Sequence, residues 1–567
     1  MHPNLEDPVK SSYFAALFFA AAVMLPAFQA NPGQTKTANT SPDGRPASGK
    51  PPEQTASIEG TVVDAKLGKA VKDVNLLAAM ATGGGTPAST RTDDTGHFQL
   101  KNLAPGSYLL IADHPRYARQ TYGSRNGLLG GTPLTVTIGQ ELKDITFKIQ
   151  PNAVASGRVL DEDGEPMSGI LVAALRGIYS KGRRQYLPLG TGMTNDLGEY
   201  RIANMAAGRY ILSATKMNMN ADNTKAPEAG PESTYITTYY PNSAEPSGAA
   251  SIEVTAGGDV GGMDIHMAKA KSVRIKGKVI GVPGGQQTSI RIIPKDAGVL
   301  AMIIGRNAQV KKADGAFEIV GVTPGSYNLR VSDPSGMKPM GAAVPIQVSD
   351  RGVESLVVEV GTPAEVSGTV VVPADNPGND RVSFKGARVM LESAEGLVLI
   401  PPNATIGDDG TFTLKDVAPD KYFVRVINGP AGAFVDSAKF GAQEMSEKGI
   451  DLGGATPGKL EVKLNPNGAE IAGMVRGQDD NPISGVTVAL IPDSGKYLLY
   501  QSNFTDQNGA FSFKGIAPGD YKVLAWEEVE TNAFQDPEFV KPFAGKAESV
   551  SLKPGDHKGV SLKAIAR

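Results

Sequence analysis

Apolar and polar residues alternate in short bursts along this chain, and the bursts recur about every hundred residues. In the stretch NGAFSFKGIAPGDYKVLAW, Asn508 to Trp526, Phe511 and Phe513 share one parity with Ser512 between them. After a Pro-Gly pair the alternation resumes, with Tyr521, Val523 and Ala525 on one parity and Lys522 and Leu524 on the other. A period of two marks a half-buried β-strand, whose successive side chains point to opposite faces. Four other segments align with this one without gaps: Thr95 to Tyr108, Leu197 to Tyr210, Asp314 to Tyr327 and Asp409 to Tyr422. In every copy a glycine (Gly96, Gly198, Gly315, Gly410 or Gly509) precedes the final tyrosine by twelve positions.

The punctuation between bursts has its own chemistry. The first glycine, with Asp or Asn nearby, is a tight hairpin signal, because glycine tolerates positive φ. The Pro-Gly pair predicts a type II turn, with proline presetting φ and glycine supplying the positive φ that follows. Ala207 replaces the proline in the second copy, and Asp420 replaces the glycine in the fourth, where aspartate tolerates the left-handed region. The tyrosine that opens the next strand is expected in the core with its hydroxyl hydrogen-bonded. Each repeat also begins with an opening strand centred on Gly60, Gly157, Gly277, Gly368 or Gly473, and ends with an alternating closing strand such as DITFKI or LEVKL. The count comes to about seven strands per repeat with no long amphipathic helix, the pattern of a small β-sandwich.

The opening h-x-G-x-V, the P-x-x-G-h-x-V of Pro482, Gly485 and Val488, and the D-x-x-G-x-[FY]…P-G-x-Y phrase together resemble the carboxypeptidase regulatory-like domain. That resemblance implies a transthyretin-like sandwich, akin to the collagen-adhesin B-type repeat and to the carbohydrate-binding-like fold. The last unit is similar to the terminal domain of tandem arrays in exported bacterial proteins, notably acidobacterial ones. The expected architecture is all-β, a tandem array of five seven-stranded sandwiches over residues 57–151, 152–269, 270–362, 363–467 and 468–567. Separate cores linked in line predict a long, somewhat stiff rod. The third repeat lacks the P-x-x-G signature, which leaves its second strand unplaced.

Composition narrows the partners. Lys+Arg is 56 against Asp+Glu 59, a formal net charge of -3, which points to neither nucleic acid nor an anionic membrane. The chain has no cysteine, so disulfides, thiolate metal sites and cysteine nucleophiles are excluded. Residues 1–30 read as a signal peptide, with the apolar run Tyr13 to Ala30, although Glu6 and Asp7 outnumber Lys10 before it. An uncleaved membrane anchor is the alternative. Residues 31–56, rich in Pro, Gly, Thr and Ser, read as a flexible tether. The expected location is therefore exported: periplasmic, cell-surface or secreted.

Motifs that carry chemistry are incomplete in this sequence. A zinc carboxypeptidase needs His-x-x-Glu and a distant histidine. None of His2, His97, His114, His266 and His557 has glutamate three residues on. GRPASGK (Gly44 to Lys50) and GGATPGK (Gly453 to Lys459) begin like a phosphate-binding loop. Both fail at the eighth position, where Pro51 and Leu460 stand. DEDGEP (Asp161 to Pro166) begins like a calcium loop but has Val172 where the closing glutamate belongs, leaving only weak calcium binding at a sandwich end as an alternative. No catalytic, cofactor or metal residue is assigned.

The candidate ligand-binding residues are aromatic. They are Tyr117 and Tyr122 in the first repeat, Tyr235, Tyr239 and Tyr240 in the second, and Trp526, Phe534 and Phe539 in the fifth. Exposed rings on loops stack on sugars or anchor proteins. The competing reading is that they cover a sandwich end or join units. The function expected is a non-enzymatic envelope spacer, adhesin or protein-binding array, with polysaccharide binding as the alternative.

Overall fold

The structure, a computed structural model, describes residues 55–566 apart from 82–85, 125–129, 218–232, 283–286, 296–303, 335–337, 342, 362, 374–381, 395–400 and 454–457. Residues 1–30, read above as a signal peptide, almost all of residues 31–56, read as a tether, and the Gly44 to Lys50 motif lie outside those residues, as does the middle of the Gly453 to Lys459 motif. The regular structure of the described chain is nearly all strand, and its sheets fall into consecutive groups, each around its own buried cluster. The clusters draw on residues 56–149, 153–267, 275–360, 366–464 and 469–564 in turn. These groups are called units 1 to 5 below.

Unit 5 shows the plan. Its opening strand Ala469–Arg476 lies between Ala510–Ile516, antiparallel, and the closing strand His557–Lys563, parallel. The facing sheet runs Gln501–Phe504, Thr487–Pro492, Gly519–Trp526, Glu548–Leu552. The same parallel pairing of opening and closing strands recurs in every unit. In unit 3 the strand left unplaced by sequence is Ser289–Pro294.

Parallel closure explains the opening-strand glycines. A Cβ on Gly60, Gly277, Gly368 or Gly473 would overlap the carbonyl oxygen of Ile145, Leu356, Leu460 or Val560 on the closing strand, and one on Gly157 that of Met263, between the two pieces of the unit 2 closing strand. Only a residue without a side chain lets the two backbones approach so closely.

The turn phrase proves subtler than a hairpin. Gly96, Gly198, Gly315, Gly410 and Gly509 do take positive φ, between 71° and 80°. Yet the strands they join belong to opposite sheets, as with Gln501–Phe504 and Ala510–Ile516, so each turn is a corner between layers. Alternation alone puts one face of each strand toward the core, and a corner satisfies that as well as a hairpin does. The Pro-Gly turn differs too. Gly106, Gly208, Gly325 and Gly519 sit at φ of 143° to 158°, not near the 80° of a type II turn, and each begins the strand that follows. Asp420 takes no positive φ, which is how aspartate is accepted there.

The tyrosine after that turn behaves as expected. Tyr108, Tyr210, Tyr327, Tyr422 and Tyr521 each donate the phenol hydrogen to the carbonyl four residues back, at 2.7 to 2.8 Å. Burial pushes the Tyr521 phenol up to about 12. Tyr521→Phe removes the donor and leaves the Ala517 carbonyl without it. The expected loss is about 1 kcal/mol, read as a shift of the urea midpoint of the last unit; an unchanged midpoint would make the bond incidental.

A second recurring device carries no sequence expectation. Asn102, Asn204, Gly321, Asp416 and Gly515, each six residues before the tyrosine, all have φ between 53° and 71°. The register against the opening strand slips there in every unit. This bulge returns the next apolar residue, such as Leu103 or Ile516, to the core.

Candidate functional site: the junction of units 2, 4 and 5

Unit 2 departs from the common plan most of all in one hairpin. Its second and third strands, Ile170–Ser180 and Arg183–Met193, are eleven residues each, against six and four in unit 5. They form a hairpin through Lys181 and Gly182 at φ 53° and 72°, the two positive values a two-residue hairpin turn with right-handed twist requires. The extra length carries the tip beyond unit 2.

The shaft of the hairpin meets unit 5. Tyr179 N–H donates to the Thr531 carbonyl at 2.8 Å, and Ile178 forms a parallel bridge with Thr531. Arg184 donates through Nε and Nη2 to the two carboxylate oxygens of Glu530, at 3.1 and 2.6 Å. A two-pronged bond of this kind fixes direction as well as distance.

The tip meets units 4 and 5 together. Lys181 Nζ donates to the Ser393 and Ala394 carbonyls and stands 3.6 Å from Glu392 Oε1. Glu392 also accepts from Arg425 Nε at 2.8 Å and from the Tyr497 hydroxyl at 2.9 Å. The Phe423 and Tyr497 rings lie 5.7 Å apart, and the lysine sits over both, at 5.7 and 5.8 Å from their centroids. Burial alone would raise the Glu392 carboxyl, but Arg425, Tyr497 and Lys181 outweigh it and hold it below the ordinary glutamate range. Burial lowers the Lys181 ammonium, against the pull of Glu392. Burial, then the Glu392 charge, pushes the Tyr497 phenol up to about 12.

Unit 1 also reaches unit 5. The Gln507 side-chain amide accepts from Thr135 N–H and donates to the Thr135 carbonyl, both at 2.9 Å, pairing with that residue as a neighbouring strand would. Unit 3 is tied to unit 2 by Arg306 Nη2 donating to Thr234 Oγ1 at 2.9 Å. Unit 5 therefore touches units 1, 2 and 4, and the expected rod of units in line is not what forms. Nothing in the repeat phrase encodes the extra length of one hairpin that makes the difference.

The aromatic candidates are dispersed and largely engaged. Trp526 and Phe534 are 2 % exposed and Tyr239 5 %. Trp526, Phe534 and Phe539 come together with Phe543 on the outer face of the unit 5 sheet, under the segment 533–546. That is why KVLAW is apolar on both parities: the strand is covered on both sides. Tyr239 packs on Ala173 and Leu175 at the equivalent outer face of unit 2, while Tyr240 and Tyr235 pack against the unit 2 core. The Tyr235 hydroxyl donates to Glu162 at 3.0 Å, and Lys269 and Lys216 stand over its ring. Tyr117 donates to Asp64 at 2.9 Å, and Tyr122 meets Phe147 edge-on at 5.4 Å. Sequence reasoning missed Lys181, Glu392, Arg425, Tyr497 and Gln507; the one available signal was the Lys-Gly pair at the centre of an unusually long alternating stretch.

Other chemistry is quiet. Among the described residues no group of three or more His, Asp or Glu could hold a metal ion, and no helix is long and apolar enough to cross a membrane. The Asp161 carboxylate accepts from the Asp163 and Glu165 amides of its own turn, both at 2.9 Å.

With this geometry in view, comparison with known proteins gives the following. Residues 57–150 and 470–540 match the carboxypeptidase regulatory-like domain, which places that domain in units 1 and 5. No curated protein matches the chain. Among solved structures, the minor pilin of Streptococcus agalactiae aligns at 12% identity over 38% of this chain and 97% of its own, with a TM-score of 0.23. The major pilin subunit of Bacillus cereus aligns at 12% over 73% and 99%, with a TM-score of 0.14. Two B repeat units of the collagen-binding protein of Staphylococcus aureus align at 12% over 72% and 99%, with a TM-score of 0.12. Alignments at these scores say nothing about role.

Proposed function

We propose that a chain carrying carboxypeptidase regulatory-like domains in its first and last units works as a non-enzymatic, exported structural and interaction protein of the cell envelope. In this reading it is a folded-back cluster of sandwiches that presents loops and strand edges to a protein partner. The junction of Lys181, Glu392 and Tyr497 carries the reading. A spacer gains length by keeping its units in line, whereas this hairpin ties together units that are not neighbours in sequence. The apolar run Tyr13 to Ala30 supports export. The burial of Trp526, Phe534 and Tyr239 favours a protein partner over a glycan, because sugar stacking needs a free ring face.

Affinity electrophoresis of the full chain through gels containing soluble polysaccharides tests this reading. The expected result is unchanged mobility on every glycan. Retardation that Tyr235→Ala or Tyr117→Ala abolishes would replace it with polysaccharide binding.

A further inference from the structure

The closing strands form one margin of the opening-strand sheets, and the units treat that margin differently. In unit 1 the strand Glu141–Ile149 carries Asp144 at φ 61°, and in unit 3 Val353–Glu359 carries Ser355 at φ 59°; the register slips beside each. Such bulges bend an edge strand and deter pairing with another chain. In unit 4 the closing strand Leu460–Asn465 pairs without a slip, and its outer edge is occupied by the unit's own antiparallel strand Phe434–Phe440. In unit 5 the closing strand His557–Lys563 also pairs without a slip, over seven consecutive residues, yet no described strand lies on its outer side. Lys558, Gly559, Ser561 and Lys563 are exposed there, and nothing lies within 4 Å of where a Gly559 Cβ would sit.

Unit 4 supplies the template for an occupant. The glycine registers Gly368 with Leu460 and Gly473 with Val560 make Lys463 and Lys563 equivalent, and likewise Val462 and Leu562. In unit 4, Ala438 of the seated strand faces Val462, and Asp436 stands 3.4 Å from Lys463. Lysine on an edge often repels a neighbour, but here the equivalent lysine is paired with the strand that covers it. Lys563 has only a 3.9 Å pair with Asp480, with both side chains more than half exposed.

We propose that the outer edge of His557–Lys563 is a strand-addition site for an extended segment of a partner protein that carries a carboxylate in register with Lys563. The segment enters antiparallel, with a carboxylate against Lys563 and a small apolar residue against Leu562. Main-chain bonds supply the attachment and the alternate side chains select the sequence. A second copy of this strand is a poor occupant. Antiparallel pairing about Val560 sets Lys563 opposite His557 and Lys558 opposite Leu562, with no carboxylate for either lysine. This inference rests on the protein-interaction reading above.

The probe is a labelled peptide with the sequence of Phe434–Phe440, FVDSAKF, added to the full chain. Binding is followed by anisotropy and by hydrogen exchange across residues 557–563. The expected results are slowed exchange in that strand and affinity weakened about fivefold by Lys563→Glu, with recovery when the peptide carries Asp436→Lys. Because Lys563 is exposed, the variant keeps its fold, and the charge swap controls for any that does not. No slowing at saturating peptide, or binding indifferent to Lys563→Glu, overturns the site. A concentration-dependent dimer that protects the same strand also overturns it, in favour of a second copy. A protein partner whose binding ignores Lys563→Glu would sink the edge proposal alone, whereas glycan retardation in the electrophoresis would sink the reading beneath it.

Discussion

Gly473→Ala is expected to destabilise the last unit by about 3 kcal/mol or more. The new methyl group would fall on the Val560 carbonyl of the parallel closing strand, and backbone, unlike a flexible side chain, has nowhere to go. Relief requires the opening and closing strands to separate, which breaks the ladder over Glu470–Arg476 and opens the core beneath Ile471 and Val475. Gly559→Ala, on the same pair of strands but with open space at its Cβ, is the control and is expected to fall within about 0.5 kcal/mol of the parent. The measurement is hydrogen exchange of strand Ala469–Arg476 in the full chain, with urea unfolding beside it. A loss below about 1 kcal/mol for Gly473→Ala would mean that close approach is not what requires the glycine.

Glu392→Ala is expected to loosen the junction by about 2 kcal/mol. It removes the acceptor shared by Lys181, Arg425 and Tyr497 and leaves two cations facing each other in a half-buried space. The figure is kept below that of a fully buried pair because these side chains remain 26 to 33 % exposed. Combined with Gln507→Ala, which removes the Thr135 tie to unit 1, the variant should raise the radius of gyration in small-angle scattering while the cores keep their unfolding transitions. Lys181→Met keeps an apolar stem between Phe423 and Tyr497 and should open the cluster less. The pH dependence follows from the sign of the shift. The Glu392 carboxyl lies below the ordinary glutamate value of 4.5, so its contribution is complete above that value and is lost as the pH falls through the lower, folded value. The parent should therefore expand in acid. A compact Glu392→Ala, Gln507→Ala chain at neutral pH would show that other contacts hold the cluster.

The repeat phrase made the cores legible. Period-two alternation turned Phe511 and Phe513 of one strand and Tyr521 and Val523 of the next toward the same core, and the recurrent tyrosine announced its hydroxyl bond, because both features are local. Sheet membership was not legible. A turn at Gly509 looks the same whether it returns a strand to its own sheet or carries it across to the other. The left-handed bulge was written in the sequence as Asn, Asn, Gly, Asp, Gly at one position, yet it hides inside a stretch that reads as uninterrupted strand. The junction was least legible, since Lys181, Glu392 and Tyr497 come from three units and acquire meaning only when a longer hairpin brings them together.

The separations within these contacts bear on the order in which the molecule is assembled. Arg184 waits for a partner 346 residues later, and Thr135 for one 372 residues later. At translation rates of about 5 to 20 residues per second, that is roughly 20 to 70 s. During that interval the early units close on their own cores, and the hairpin tip meets Ser393 and Ala394, 212 and 213 residues on, before its shaft meets Glu530. Fastening to unit 5 is then a late event of biosynthesis. A product that stops short of Thr531 lacks the shaft contact with unit 5 and the strands Glu548–Leu552 and His557–Lys563, so its first four sandwiches close while the fifth stays open.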